Sequence, residues 1–223
     1  VMLCARRGVC TDSLIMTDLI QVGALLTPNF TTNINNGCEN LSVDFTDITN
    51  NNPDTWFWDF GDGNTSTLQN PSNNYLNPGI YDITLTTSIN GECTRTITYP
   101  SRIEVFPKPD IDFSVDTAYG CAIPFTVQFT DNTTNAVNWN WHFSNGVTMH
   151  GMNPIVTFAD YGLYNLSLTI VNSHGCATNE TINNLIEIEK IIVDITSDTA
   201  SGCLPLNVTF NDITNSMRQI VDW

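Results

Sequence analysis

Trp56-Phe57-Trp58-Asp59-Phe60-Gly61-Asp62-Gly63 is the stretch from which the rest of the chain can be read. Trp56, Trp58 and Phe60 stand at alternate positions, and in a β-strand alternate side chains share one face. Three aromatics on one face bury too much apolar surface to be left in water, so this is a core face. Gly61-Asp62-Gly63 then offers positive φ at little cost, which predicts a hairpin end. The device returns as Trp139-Asn140-Trp141-His142-Phe143-Ser144-Asn145-Gly146, with Trp58 and Trp141 separated by 83 residues.

The same period runs through the chain. Cys10, Cys93 and Cys176 are spaced by 83 and 83, and Cys38, Cys121 and Cys203 by 83 and 82. Each member of the second series follows a glycine. The pairs Phe30/Phe113, Asn70/Asn153, Gly79/Gly162 and Tyr81/Tyr164 keep the period of 83. A period held at many independent positions signals a tandem repeat. The reading divides the chain into residues 1–24, the last strands of one unit; 25–107 and 108–190, two complete units; and 191–223, which open another and place Trp223 where Trp58 and Trp141 stand. Phe106-Pro107-Lys108-Pro109 and Glu189-Lys190 leave little room for linkers.

Inside the first complete unit the alternation is legible. Phe30, Thr32 and Ile34 predict one strand, and Leu41, Val43 and Phe45 the next, with Ser42, Asp44 and Thr46 outward. Trp56, Trp58 and Phe60 follow, then a short stretch near residues 65–68 and an edge-like strand carrying Tyr75. Tyr81, Ile83 and Leu85 alternate beyond a Pro78-Gly79 turn, and a last strand returns from Cys93 to Val105. Seven short strands in about 80 residues predict an all-β fold of tandem immunoglobulin-like β-sandwiches. The second unit repeats the pattern with Phe125, Val127, Phe129; Trp139, Trp141, Phe143; and Tyr164, Leu166, Leu168.

Composition narrows the function. The 223 residues carry 23 acidic and 7 basic side chains, a net charge of −16. A chain without a basic footprint is a poor partner for nucleic acid or an anionic membrane surface. No apolar run approaches the ~20 residues of a membrane span, and residues 1–5 are too short for a signal peptide. Seven cysteines without CxxC or zinc spacing point to an oxidising compartment. Seven N-x-S/T matches (Asn29, Asn40, Asn64, Asn132, Asn165, Asn179 and Asn207) carry little weight in a chain this rich in Asn, Ser and Thr.

Catalytic signals are missing. There is no G-x-S-x-G elbow and no paired-carboxylate site that repeats between units. No cofactor is expected. Asp59 and Asp62 are weak calcium candidates, as turn oxygens suit that ion; the second unit has His142 and Asn145 there, which favours a purely turn-forming role. His142, His150 and His174 share no partners at ligand spacing. Trp56 and Trp139 fit either a sugar platform or, by their parity with Trp58 and Trp141, the core.

Trp58-Asp59-Phe60-Gly61-Asp62-Gly63, Asn70-Pro71 through Tyr75, and Pro78-Gly79-Ile80-Tyr81-Asp82-Ile83-Thr84-Leu85 resemble the hallmark stretches of the PKD (polycystic kidney disease) domain family. The second unit matches more loosely, with His142, Asn145 and Tyr161 at hallmark positions. The Gly-Cys and Asn-Gly-x-Cys contexts are similar to tandem PKD arrays in very large Bacteroidota surface proteins, which accompany gliding motility, adhesion and type IX secretion. The resemblance implies an extracellular, cell-surface, non-catalytic spacer or adhesive module. Its partners would be neighbouring repeats, surface polysaccharide or another surface protein. Asp116–Ala118, Asp198–Ala200 and Asp12-Ser13-Leu14 are similar to O-glycosylation acceptors of that phylum.

Two cysteine pairings remain open. The intradomain one joins Cys38 to Cys93 and Cys121 to Cys176. In such a sandwich, however, Cys38 precedes its strand at one pole and Cys93 follows another at the opposite pole. A strand of about seven residues puts them roughly 20 Å apart, whereas a disulfide needs Cα atoms within about 7 Å. The favoured expectation is therefore an interdomain Cys38–Cys176 bond, with Cys10 and Cys93 facing earlier units and Cys121 and Cys203 later ones. Cys4 is expected as a small buried side chain.

Overall fold

The computed structural model describes residues 2–16, 25–91 and 93–215. Trp223, assigned above to a repeat position, lies outside the described residues. The chain is all-β and divides into two compact units, with the boundary between Phe106 and Pro107.

At the start of the first unit, β1 (Met2–Arg7) and β2 (Cys10–Ile15) form an antiparallel hairpin. All their residues are exposed, Cys4 included. The expected burial of Cys4 is thus not met, because a two-stranded ribbon has no facing layer to cover it.

The next eight strands build one sandwich: β3 (Phe30–Thr32), β4 (Asn36–Cys38), β5 (Leu41–Asp47), β6 (Thr55–Asp59), β7 (Thr65–Ser66), β8 (Ser72–Tyr75), β9 (Gly79–Ser88) and β10 (Arg95–Phe106). One sheet has the order β3-β5-β8 and the other β4-β10-β9-β6-β7. Period-two patterning sends Val43, Phe45, Trp58, Phe60, Tyr75, Ile83, Leu85, Ile103 and Val105 into one core between them. Phe30 meets the Trp58 ring edge-on at 5.2 Å, and Phe45 lies 5.0 Å from Phe60, the tilted geometries that ring quadrupoles favour.

The second unit carries the same sandwich in β11 (Phe113–Val115), β12 (Tyr119–Gly120), β13 (Phe125–Asp131), β14 (Ala136–Phe143), β15 (Thr148–His150), β16 (Ile155–Phe158), β17 (Gly162–Asn172) and β18 (Ala177–Ile188). Its sheets run β11-β13-β16 and β12-β18-β17-β14-β15. Val127, Phe129, Trp141, Phe143, Val156, Phe158, Leu166 and Leu168 fill the core. Beyond it, β19 (Ile195–Ser197) pairs with β20 (Phe210–Asp212).

The first strand of the first sandwich is shorter than alternation predicts. Ile34, expected inward, is 41% exposed. The ladder stops because the Asn33 side-chain oxygen accepts the amides of Ile34 and Asp44, both at 2.9 Å. The chain then leaves for the opposite sheet, where β4 runs parallel to β10 with Cys38 opposite Phe106. Asp116 ends β11 in the same way, accepting from Thr117 and Gln128, and Asp198 accepts from Thr209 at 3.0 Å. Bonds from Thr209 hold the Asp198 carboxyl below its usual range. Two of the Asp-Thr-Ala segments thus begin with a strand-terminating aspartate.

Candidate functional site

The signature stretch holds the weak calcium candidates, and its polar side chains bond to amides of the turn itself. At the end of β6, Asp59 Oδ1 accepts the Gly61 amide at 2.9 Å. Asp62 Oδ1 accepts the Asn64 amide at 2.9 Å, and its Oδ2 accepts the side-chain amides of Asn64 and Asn73 at 2.9 and 2.8 Å. Gly61 has φ +76°, and a Cβ there would stand 2.6 Å from the Asp82 carbonyl oxygen, so both conformation and space demand glycine. Gly63, at φ +92°, faces open space. In the second unit, Asn145 Oδ1 accepts the Val147 amide and His142 Nδ1 meets Thr148 Oγ1 at 3.0 Å. Asp59 and Asp62, the calcium candidates, hold amides in this arrangement. Among the described residues no group of three or more His, Cys, Asp or Glu is placed to hold a metal.

Four bonds recur in both sandwiches. The indole of Trp58 donates to the Leu68 carbonyl and that of Trp141 to Gly151, both at 2.9 Å. The indole of Trp56 donates to Asp47 and that of Trp139 to Asp131, both at 2.8 Å. Asn70 and Asn153 accept the amides of Asp47 and Asp131, both at 2.9 Å. Tyr81 donates to the Asn77 carbonyl at 2.8 Å and Tyr164 to Asp160 at 2.7 Å, the tyrosine corner of immunoglobulin-like folds. Trp56 and Trp139 are partly buried against the cores, so their rings are edges of the packing, and Phe57, 47% exposed, occupies the outer face.

The aspartate partners of these tryptophans escaped the sequence reading. Asp47 and Asp131 are 84 residues apart, one off the period, because the loops before and after their strand differ in length. The available signal was Phe-x-Asp-x-Thr at Phe45–Thr49, Phe129–Thr133 and Phe210–Thr214. In each, the aspartate side chain accepts the amide of the threonine two residues on. Tyr75, buried, donates to the Phe60 carbonyl at 3.2 Å. Burial, aided by the Asp62 charge and opposed by an Asn73 hydrogen bond, pushes its phenol well above the usual range.

Of the seven cysteines, Cys38 and Cys176 are each disulfide-bonded, and Cys4, Cys10, Cys93, Cys121 and Cys203 are free. Cys93 and Cys121, the partners that the intradomain pairing needs, are therefore unbonded. Geometry within each sandwich explains why. Cys38 sits beside Phe106 at the end of β10, and Cys93 lies just before Arg95 at its start. Twelve strand residues at ~3.3 Å each separate them by roughly 35–40 Å. Cys121 and Cys176 flank β18 likewise.

No helix of the described residues is long and apolar enough to cross a membrane. The sequence profile of the PKD domain family matches residues 26–105 and 104–187. The pre-pro-metalloprotease PrtV of Vibrio cholerae serotype O1 is 28% identical over 131 residues, 57% of this chain, and the match spans only 14% of that relative's length. A solution structure from Methanosarcina mazei is 32% identical, covering 44% of this chain and 66% of that one, with a TM-score of 0.31. The three N-terminal domains of the bacteriophage RB49 outer capsid protein Hoc are 10% identical, covering 86% and 69%, with a TM-score of 0.35.

Proposed function

The chain belongs to the PKD domain family, and from that premise we propose that it is a non-catalytic structural segment of a large secreted, cell-surface repeat protein. Repeats in series form a stalk or filament serving adhesion or gliding motility. The observation that carries this reading is the fate of the signature residues. In both sandwiches the indoles, the tyrosine hydroxyls and the acceptors around Asp47 and Asp131 are committed to internal bonds. What the period preserves is a fold and its turn chemistry.

Within this reading Cys38 and Cys176 bond to each other, one repeat to the next. Two facts support the pairing: these two are the disulfide-bonded cysteines, and each sandwich keeps its own two cysteine positions a strand length apart. Stability of such an array is a sum over repeats and junctions, and a covalent staple adds to the junction contribution. Neighbouring repeats are the principal partners, with surface polysaccharide or another surface protein at the array's working end.

Two measurements test this. Peptide mapping of unreduced protein should yield a linked Cys38–Cys176 pair; a Cys38–Cys93 pair would sink the staple. Immunoblotting of intact and surface-shaved cells should place a very large polypeptide at the surface. A second reading is favoured by the metalloprotease relative: the repeats are spacers beside a catalytic domain of a secreted hydrolase. A modest polypeptide found in the medium would favour it and overturn the stalk.

A further inference from the structure

We infer that the first sandwich carries a binding cleft for a single sugar unit bearing one carboxylate, built around Arg102. The cleft is an open one of about 320 Å³, lined by Asn35, Asn36, Tyr99, Ser101, Arg102 and Glu104. That volume is at the lower end of small-molecule sites, which run from about 300 to 1,000 Å³. It opens where the chain crosses from β3 to β4 beside an irregularity of β10 between Tyr99 and Ile103, where Ser101 has φ +50°.

Arg102 is half-buried. Its guanidinium lies 5.9 Å from the ring centres of both Phe30 and Tyr99. One amino group donates to Thr32 Oγ1 at 3.1 Å. Its Nε is shut off from solvent with no partner. No carboxylate of the described residues pairs with this guanidinium, in a chain with 23 acidic side chains and 7 basic ones. The half-buried guanidinium thus keeps donors that no carboxylate answers, and the planar fork of arginine fits a carboxylate.

The sibling repeat is a natural control. Leu185 stands where Arg102 would, Ala118 at Asn35 and Ile182 at Tyr99, on the same strand arrangement. Closing the sandwich edge therefore does not require an arginine. The other lining groups set the ligand's remaining chemistry. The Asn35 and Asn36 amides and the Ser101 hydroxyl suit sugar hydroxyls, and the Tyr99 ring suits a pyranose flank. The exposed Glu104 carboxylate accepts hydroxyls and weakens the binding of every anion, a doubly charged phosphate more than a singly charged carboxylate. This site stands independently of the stalk reading.

The test is a ¹H–¹⁵N titration of the whole chain with trigalacturonate, run beside its uncharged methyl ester and beside acetate. Saturable shifts are expected at amides 35–36 and 99–104. Arg102→Leu should lower affinity by about tenfold or more, the loss expected for hydrogen bonds to a charged group, with the amide spectrum away from the cleft unchanged. Arg102→Lys, which keeps charge but not the fork, should fall between. No saturable shift, or binding unaffected by both variants, overturns the site. Equal binding of the ester overturns the carboxylate, and equal binding of acetate overturns the sugar.

Discussion

Replacing Asp131 by Asn changes almost no volume and tests the buried tryptophan–aspartate bond directly. Asp131 is 3% exposed. One carboxylate oxygen accepts the Trp139 indole at 2.8 Å and the other the Thr133 amide at 3.2 Å. An amide has one acceptor oxygen, so whichever way Asn turns, its NH₂ faces an N–H donor. Hydrogen bonds to a charged group contribute about 1.5–3 kcal/mol, and an unsatisfied buried donor costs about 1–3 kcal/mol. Asp131→Asn should therefore destabilise the second repeat by about 2–3 kcal/mol. Trp139→Phe removes the opposing donor, so the double variant should cost about 1–2 kcal/mol less than the sum. The assay is urea unfolding followed by tryptophan fluorescence, fitted repeat by repeat since two sandwiches need not unfold together. Asp47 is only half-buried and also faces Gln69, so the Asp47→Asn/Trp56→Phe cycle should show a smaller coupling. Additivity at Asp131 within about 0.5 kcal/mol, or a larger coupling at Asp47, would refute the reasoning.

Gly61→Ala should cost more than Gly63→Ala, by about 2 kcal/mol in the same unfolding assay, since only the first drives a Cβ against backbone as well as straining φ. Alkaline pH should weaken the fold. The phenols of Tyr75 and Tyr164 are raised by burial, so their contribution is complete below the ordinary pKa of about 10 and is lost as pH climbs toward the folded values. Stability measured from pH 8 to 11 should fall above about pH 10, and Tyr75→Phe should flatten that fall. Cys176→Ser should leave each sandwich folded while abolishing the linked peptide; loss of the second core with it would assign Cys176 a packing role instead.

The fold was legible because its determinants are short-range. Period-two alternation around Trp58 and Trp141, glycine at the turn and tyrosine at the corner each encode one local decision, and an 83-residue period confirms them against one another. The crossing of the first strand to the other sheet was not legible. It depends on one side chain, Asn33 or Asp116, capping the ladder across to β5 or β13, which alternation does not encode, and Ile34 has the right character for an inward position without having the place. The Asp47–Trp56 and Asp131–Trp139 bonds were hidden by unequal loops. The Arg102 cleft was hidden because β10 leaves its regular register and brings a cation beside a ring of its own strand, Tyr99, and one of β3, Phe30.

The crossing has a consequence for a molecule under tension. In each sandwich a short parallel pair joins the incoming strand to the outgoing one: Asn36–Cys38 against Glu104–Phe106, and Tyr119–Gly120 against Glu187–Ile188. Flanking amide bonds extend both, Glu39 to Phe106 at 2.9 Å and Glu189 to Gly120 at 2.8 Å. Because the strands are parallel, pulling a single repeat by its own two ends, with its cysteines reduced, slides one along the other. All the rungs are then loaded at once, whereas a hairpin pulled from its open end parts one rung at a time. The small detour that spoiled the alternation at Ile34 thus acts as a shear clamp, placed at the point where an extending force enters and leaves each repeat.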